Sequence, residues 1–200
     1  MIDSYAFAVD VFRTVGDRLR EKAAALRLLV EAAAPFGAWL TREAYLACKR
    51  RQAAYPFCEV AADPTYASEG VGGDDDSDAG HGGLRVGGPD GGANHCWVFA
   101  EFVLFHGGNR EGGEWRRAVE ARAGRLKRLG WKKSAALLVV AAATRGDVAT
   151  EWADDLTGGA AWDRPALTDP YDIALPGAGS VALRAFDIKR DTADTLIRAG

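Results

Sequence analysis

The sequence predicts an α/β (α+β) domain, a mixed central sheet flanked by helices, and three observations predict it. His95 to His106 is apolar apart from Glu101 and rich in aromatic and branched residues, as a buried central strand requires. Ala135 to Ala143 carries no polar side chain, the pattern of a strand covered on both faces by helices. Segments with apolar residues at three- and four-residue steps precede the first of these runs and separate it from the second.

From Ser4, a suitable N-cap, Tyr5, Val9, Phe12, Val15, Leu19, Leu26, Val30 and Ala33 recur at helical steps, which predicts one long amphipathic helix ended by Pro35 and Gly37. A second helix is expected from Thr41 into Lys49-Arg50-Arg51, where basic residues suit a helix C-terminus and form a solvated face. Pro56 then opens a short strand, Phe57 to Ala62, closed by Asp63-Pro64. From Ser68 to Asn94 Gly and Asp dominate, so this stretch reads as a loop. Leu84-Arg85-Val86 interrupts it as a short strand over residues 82–87, and Pro89-Asp90-Gly91 follows as a hairpin turn into the strand at 95–106.

After Gly112-Gly113, Trp115, Ala118, Val119, Ala123 (or the stem of Arg122), Leu126 and Leu129 mark a helix from Glu114 to Leu129 with Gly130 as its cap. The apolar strand at 135–143 comes next. Asp147 caps a short helix to Leu156, residues 158–179 read mostly as loop, Ser180 to Ile188 form a last strand, and Asp191 to Arg198 a terminal helix.

Two hundred residues at 48% hydrophobic and 26% charged fit one globular domain with a real core, divided as residues 1–54 (helices), 55–143 (sheet and helix core) and 144–200 (extension). A net charge of -3 gives no global nucleic-acid signature, which would be a basic domain. Cys48, Cys58 and Cys96 are odd in number and widely spaced, so they read as reduced thiols rather than a disulfide framework. No stretch approaches the ~20 apolar residues of a membrane span, and the amino terminus lacks the pattern of a signal peptide, so a cytoplasmic protein with no membrane contact is expected.

Glu101 carries the functional question. An ionised carboxylate buried without a partner is disfavoured by several kcal/mol, on the order expected for an unpaired buried charge. Glu101 should therefore have a cation, a donor network, an acid sharing its proton, or a solvent-open pocket.

The order helix, strand, short strand, turn, strand with a carboxylate, basic helix, buried strand resembles the core of the PD-(D/E)xK (restriction-endonuclease-like) nuclease superfamily over roughly residues 40–143. In that family an Asp on the second strand and an E-x-K on the third bind a divalent metal. The resemblance implies a catalytic, metal-binding Glu101, Mg²⁺ as cofactor and DNA or RNA as partner. Two oxygen ligands on adjacent strands would hold Mg²⁺, which orients water and offsets charge on the scissile phosphate, while a lysine supports the nucleophile.

This sequence departs from the pattern twice. Val103 stands at the lysine position, and Leu84-Arg85-Val86 holds no Asp. Asp90, within the letters Pro89-Asp90, is a candidate metal ligand, although Pro-Asp-Gly between glycines is first of all what a turn wants. A tight hairpin centred near residues 90–91 would put Gly80 and His81 across from Glu101, with Asp78 a little further along, so Asp78 or His81 would supply the second catalytic or metal-binding group.

From Arg110 to Lys133 there are nine Lys/Arg against three Glu, the clearest basic segment of the chain. Arg116, Arg117, Lys127, Lys132 and Lys133 could track a phosphate backbone or form the solvated face of an amphipathic helix. His95 and His106 would lie ~30 Å apart on an extended strand, too far to share a metal. Two functions follow: a nucleic-acid-binding domain that is a metal-dependent nuclease or its degenerate descendant, and a catalytically inactive pseudoenzyme scaffold that binds a protein partner.

Overall fold

The computed structural model describes residues 4–32, 34, 36–54, 57, 59–62, 83–87, 97–105, 114–127, 134–144, 167–169 and 171–188. Helices α1 (Ser4–Glu21), α2 (Ala23–Glu31) and α3 (Gly37–Ala54) precede strands β1 (Glu59–Ala62), β2 (Leu84–Gly87) and β3 (Trp97–Phe105). Helix α4 (Glu114–Lys127), β4 (Ser134–Thr144), β5 (Tyr171–Leu175) and β6 (Gly179–Asp187) complete the order. The six strands form one mixed sheet in the order β1-β2-β3-β4-β6-β5, in which β3 and β4 are parallel and the other neighbours antiparallel. Helix α4 lies in the connection between the parallel strands, the kind of crossover that parallel pairing needs.

Side-chain alternation along β3 divides the core. Val98, Ala100, Phe102 and Leu104 join Phe7, Val11, Phe12 and Val15 of α1 and Leu40, Ala44 and Cys48 of α3 in the main cluster. The odd positions turn to the opposite face, where the ring of Phe105 meets that of Trp115 on α4, 5.0 Å between centroids. Helices therefore cover both faces, and strand β3 is buried from Val98 to Val103.

Two charges inside the main layer are matched. Arg18 of α1 donates to Glu43 of α3 at 2.8 Å and to Glu21 at 3.0 Å, with Arg18 and Glu43 both buried. Burial pulls the Arg18 guanidinium down, but the hydrogen bonds and charges of Glu21 and Glu43 outweigh it and hold it above its ordinary value. Burial pushes the Cys48 thiol up to about 12, so it stays protonated and unreactive at neutral pH.

Several expectations need correction. The long first helix is two, because Lys22 leaves helical geometry at φ -99° and ψ 18°. Gly37 opens α3 rather than closing the helix before it, and α3 begins four residues before Thr41. Residues 171–175 form edge strand β5 inside what composition suggested was loop: Ile173 and Leu175 are buried while Asp172 and Ala174 are exposed. Pro176-Gly177-Ala178 turns this strand into β6, with Gly177 at φ 80°. The helices expected at 147–156 and 191–198, and the loop from Ser68 to residue 82, lie outside the described residues. The side chains of the apolar strand 135–143 do too; its backbone is β4.

Candidate functional site

Glu101 sits at the middle of β3 on the face toward α4, and its side chain is fully buried. Helix α4 supplies its partners. Arg122 Nη1 donates to Glu101 Oε2 at 2.8 Å, Arg125 Nε donates to Oε1 at 3.2 Å, and Arg125 Nη2 approaches Oε2 at 3.5 Å. Positions 122 and 125 stand one helical turn apart on one flank of α4. The apolar stripe of α4, Trp115, Val119, Ala123 and Leu126, seats the helix on the sheet and brings both guanidiniums to the same carboxylate.

Charge-assisted hydrogen bonds of this kind are stronger than neutral ones, and both carboxylate oxygens receive them. The side chains lie on a gradient of exposure: Glu101 at 0%, Arg125 at 13% and Arg122 at 38%. Arg125 is thus the inner partner, and Arg122 bridges the buried carboxylate to solvent. The question raised by Glu101 is answered by two cations from the next helix.

Val103, two residues along β3 on the same face, is buried at the position where the resemblance expects a lysine. Gly83 approaches Glu101 from the β2 side: a Cβ built on it would lie 2.6 Å from the Ala100 carbonyl oxygen and 3.4 Å from Glu101 Cα. The pairing of Leu84 with Ala100 continues to Gly83 beside Glu101. The expected register, which set His81 there, is therefore displaced by two residues. The turn assumed near residues 90–91 lies outside the described residues.

The basic candidates divide. Arg116 and Arg117 are exposed on α4, with the Arg116 guanidinium 5.4 Å from the centre of the Trp115 ring. Lys127 is half-buried in the last turn. Lys132, Lys133, Asp78, His81 and Asp90 lie outside the described residues. Beyond the site, Arg85 of β2 pairs with Glu59 of β1 and stacks on Trp97, 5.1 Å from its ring centre.

The described donor set suits guanidinium better than Mg²⁺. A hard dication takes oxygen ligands, and both oxygens of Glu101 already face cations that would repel it. Among the described residues, no group of three or more His, Cys, Asp or Glu side chains comes together as metal ligands would.

Sequence reasoning missed Arg122 and Arg125 as the partners of Glu101. The signal was present: Arg122 falls three residues after Val119 and four before Leu126, so a cation stands at the margin of a buried stripe, beside a strand with an unmatched acid. No family model, curated protein or solved structure matches the chain. Among the described residues no helix is long and apolar enough to cross a membrane.

Proposed function

We propose that this chain is a PD-(D/E)xK-like domain that binds nucleic acid without cutting it, its metal site having given way to an internal ion-pair cluster. One observation carries the reading: both oxygens of Glu101 are taken by Arg122 and Arg125. Buried Val103 at the lysine position supports it, and so does the strand arrangement, an antiparallel β1-β2-β3 run with β4 parallel to β3 across a helix. Arg116 and Arg117, exposed on α4, favour a phosphate backbone as the partner.

A second reading is an inactive scaffold for a protein partner; among the described residues Leu28 of α2, 67% exposed, is the large apolar side chain left open. One experiment separates the readings. The protein is incubated with plasmid and with single-stranded DNA and RNA in Mg²⁺ and in Mn²⁺, beside Glu101→Gln. The expected result is no cleavage, with binding that weakens as salt rises and on Arg116→Ala/Arg117→Ala. Cleavage that disappears in Glu101→Gln would overturn the non-cutting reading, and absence of salt-dependent binding would favour the protein scaffold.

A further inference from the structure

We propose that Arg122 and Arg125, oriented from behind by Glu101, form a receptor for a phosphate group on the flank of α4. The inference deepens the nucleic-acid reading and rests on it in one respect, that Glu101 orients guanidiniums instead of holding a metal. Two guanidiniums face one carboxylate, so the cluster carries one positive charge beyond the ion pair it contains. Arg125 spends its Nε and Nη2 on Glu101. Arg122 spends only Nη1. Among the described residues its Nε and Nη2 make no other hydrogen bond, and 38% of the side chain is open to solvent.

A guanidinium has five N–H donors in a planar fork, and the edge that Arg122 keeps is the pair of parallel donors a phosphate accepts from. The inward bond to Glu101 restricts that side chain beforehand, which lowers the ordering cost of binding.

Among the described residues, α4 presents short side chains beside Arg122. Ala118 precedes Arg122 by one turn, and Ala121 lies between Arg117 and Arg125 on a four-residue row. Both alanines are exposed, so among the described residues no long side chain of α4 stands between these basic residues. Of the two acids of α4, Glu120 projects toward the opposite flank by the helical angle of 100° per residue, and Glu114 lies two turns before Arg122 on the row of Ala118. A tetrahedral oxyanion resting on Ala118 and Ala121 would meet Arg122 directly, with Arg117 a turn away.

The test is titration of the full chain with inorganic phosphate and with adenosine 5′-monophosphate at low ionic strength and pH 7.5, read by ³¹P line broadening or calorimetry. Both ligands should bind. Arg122→Ala should weaken both about tenfold, the scale of one charge-assisted contact. Arg122→Lys, which keeps the charge and loses the fork, should also bind less tightly than the native chain. Arg50→Ala, an exposed cation on α3 across the sheet, should leave binding unchanged. Stronger binding of the nucleotide would point to a nucleotide as the source of the phosphate; equal binding would assign the phosphate group alone.

The proposal is overturned if the native chain binds neither ligand, if Arg122→Ala or Arg122→Lys binds as the native chain does, or if Arg50→Ala weakens binding as much as Arg122→Ala. Near-native circular dichroism of each variant excludes misfolding as the cause. These outcomes are independent of Glu101-dependent cleavage in Mg²⁺, which would overturn the non-cutting reading instead.

Discussion

The Tyr171 hydroxyl donates to Asp17 Oδ1 at 2.5 Å, joining edge strand β5 to helix α1 across 154 residues of sequence. The Arg20 guanidinium lies over the same ring, 4.4 Å from its centre. Burial, then the hydrogen bond and charge of Asp17, raise the phenol to about 12 against the opposing pull of Arg20.

Alkaline stability should report that contact. The folded state holds the phenolic proton more tightly than the unfolded chain, so the contribution is full below the unfolded value of 10.0 and is lost as pH rises to about 12. Tyr171→Phe keeps the ring and removes the titration. Its unfolding free energy should be lower by about 1 kcal/mol at pH 8, the size of one hydrogen bond, and should fall less steeply than that of the native chain between pH 10 and pH 12. Urea denaturation at each pH measures both, and parallel slopes would remove Tyr171 as the source.

Gly16 of α1 lies under the same ring: a Cβ there would sit 2.6 Å from Tyr171 Cδ2 and 2.7 Å from Cγ. Helix propensity alone would make Gly16→Ala stabilising by roughly 1 kcal/mol. The obstructing atoms belong to the root of the ring rather than to a flexible tip, and overpacking typically costs about 1–3 kcal/mol. The clash should win, so Gly16→Ala lowers the unfolding free energy. In the background of Tyr171→Ala the same change should raise it, and a double-mutant cycle that fails to reverse sign would show that the ring is not the obstacle.

The cluster on β3 should give three unequal losses. Glu101→Ala strands two cations, one of them mostly buried, and should cost about 3–5 kcal/mol, as breaking a buried pair does. Arg122→Ala removes a side chain more than a third exposed, whose pairing is weakened by solvent, and should cost about 1 kcal/mol or less. Arg125→Ala, losing a partner at 13% exposure, should fall between. Equal losses for the two arginines in urea melts would contradict the gradient of exposure.

The parts of the fold legible in the sequence are those with strong local signals. The apolar runs gave β3 and β4, and the three- and four-residue steps gave α1 and α4, because each pattern repeats many times. The break at Lys22 carries no Pro or Gly to announce it. Strand β5 has only five residues, and its in-out alternation at Ile173 and Leu175 is masked by the prolines around it. At the site, Glu101 drew attention through the cost of its burial. Its partners come from a helix more than twenty residues later, and a strand pattern cannot say which helical flank will face it. The register beside Glu101 depended on the length of a glycine-rich connection, which side-chain alternation does not measure.

The contact between α1 and β5 also bears on the order of events during synthesis. Helix α1 emerges from the ribosome well before the strand that carries Tyr171, and its apolar side, with Phe7, Val11 and Val15, belongs to a cluster that includes Ile173, Leu175 and Val181. Local pairing of β1, β2 and β3 can proceed as those strands appear, whereas this cluster is completed only by residues more than 150 positions downstream of α1. Helix α1 can therefore meet α3 early, while the part of its apolar side that shares the cluster with β5 is covered only once residues 171–175 have been made.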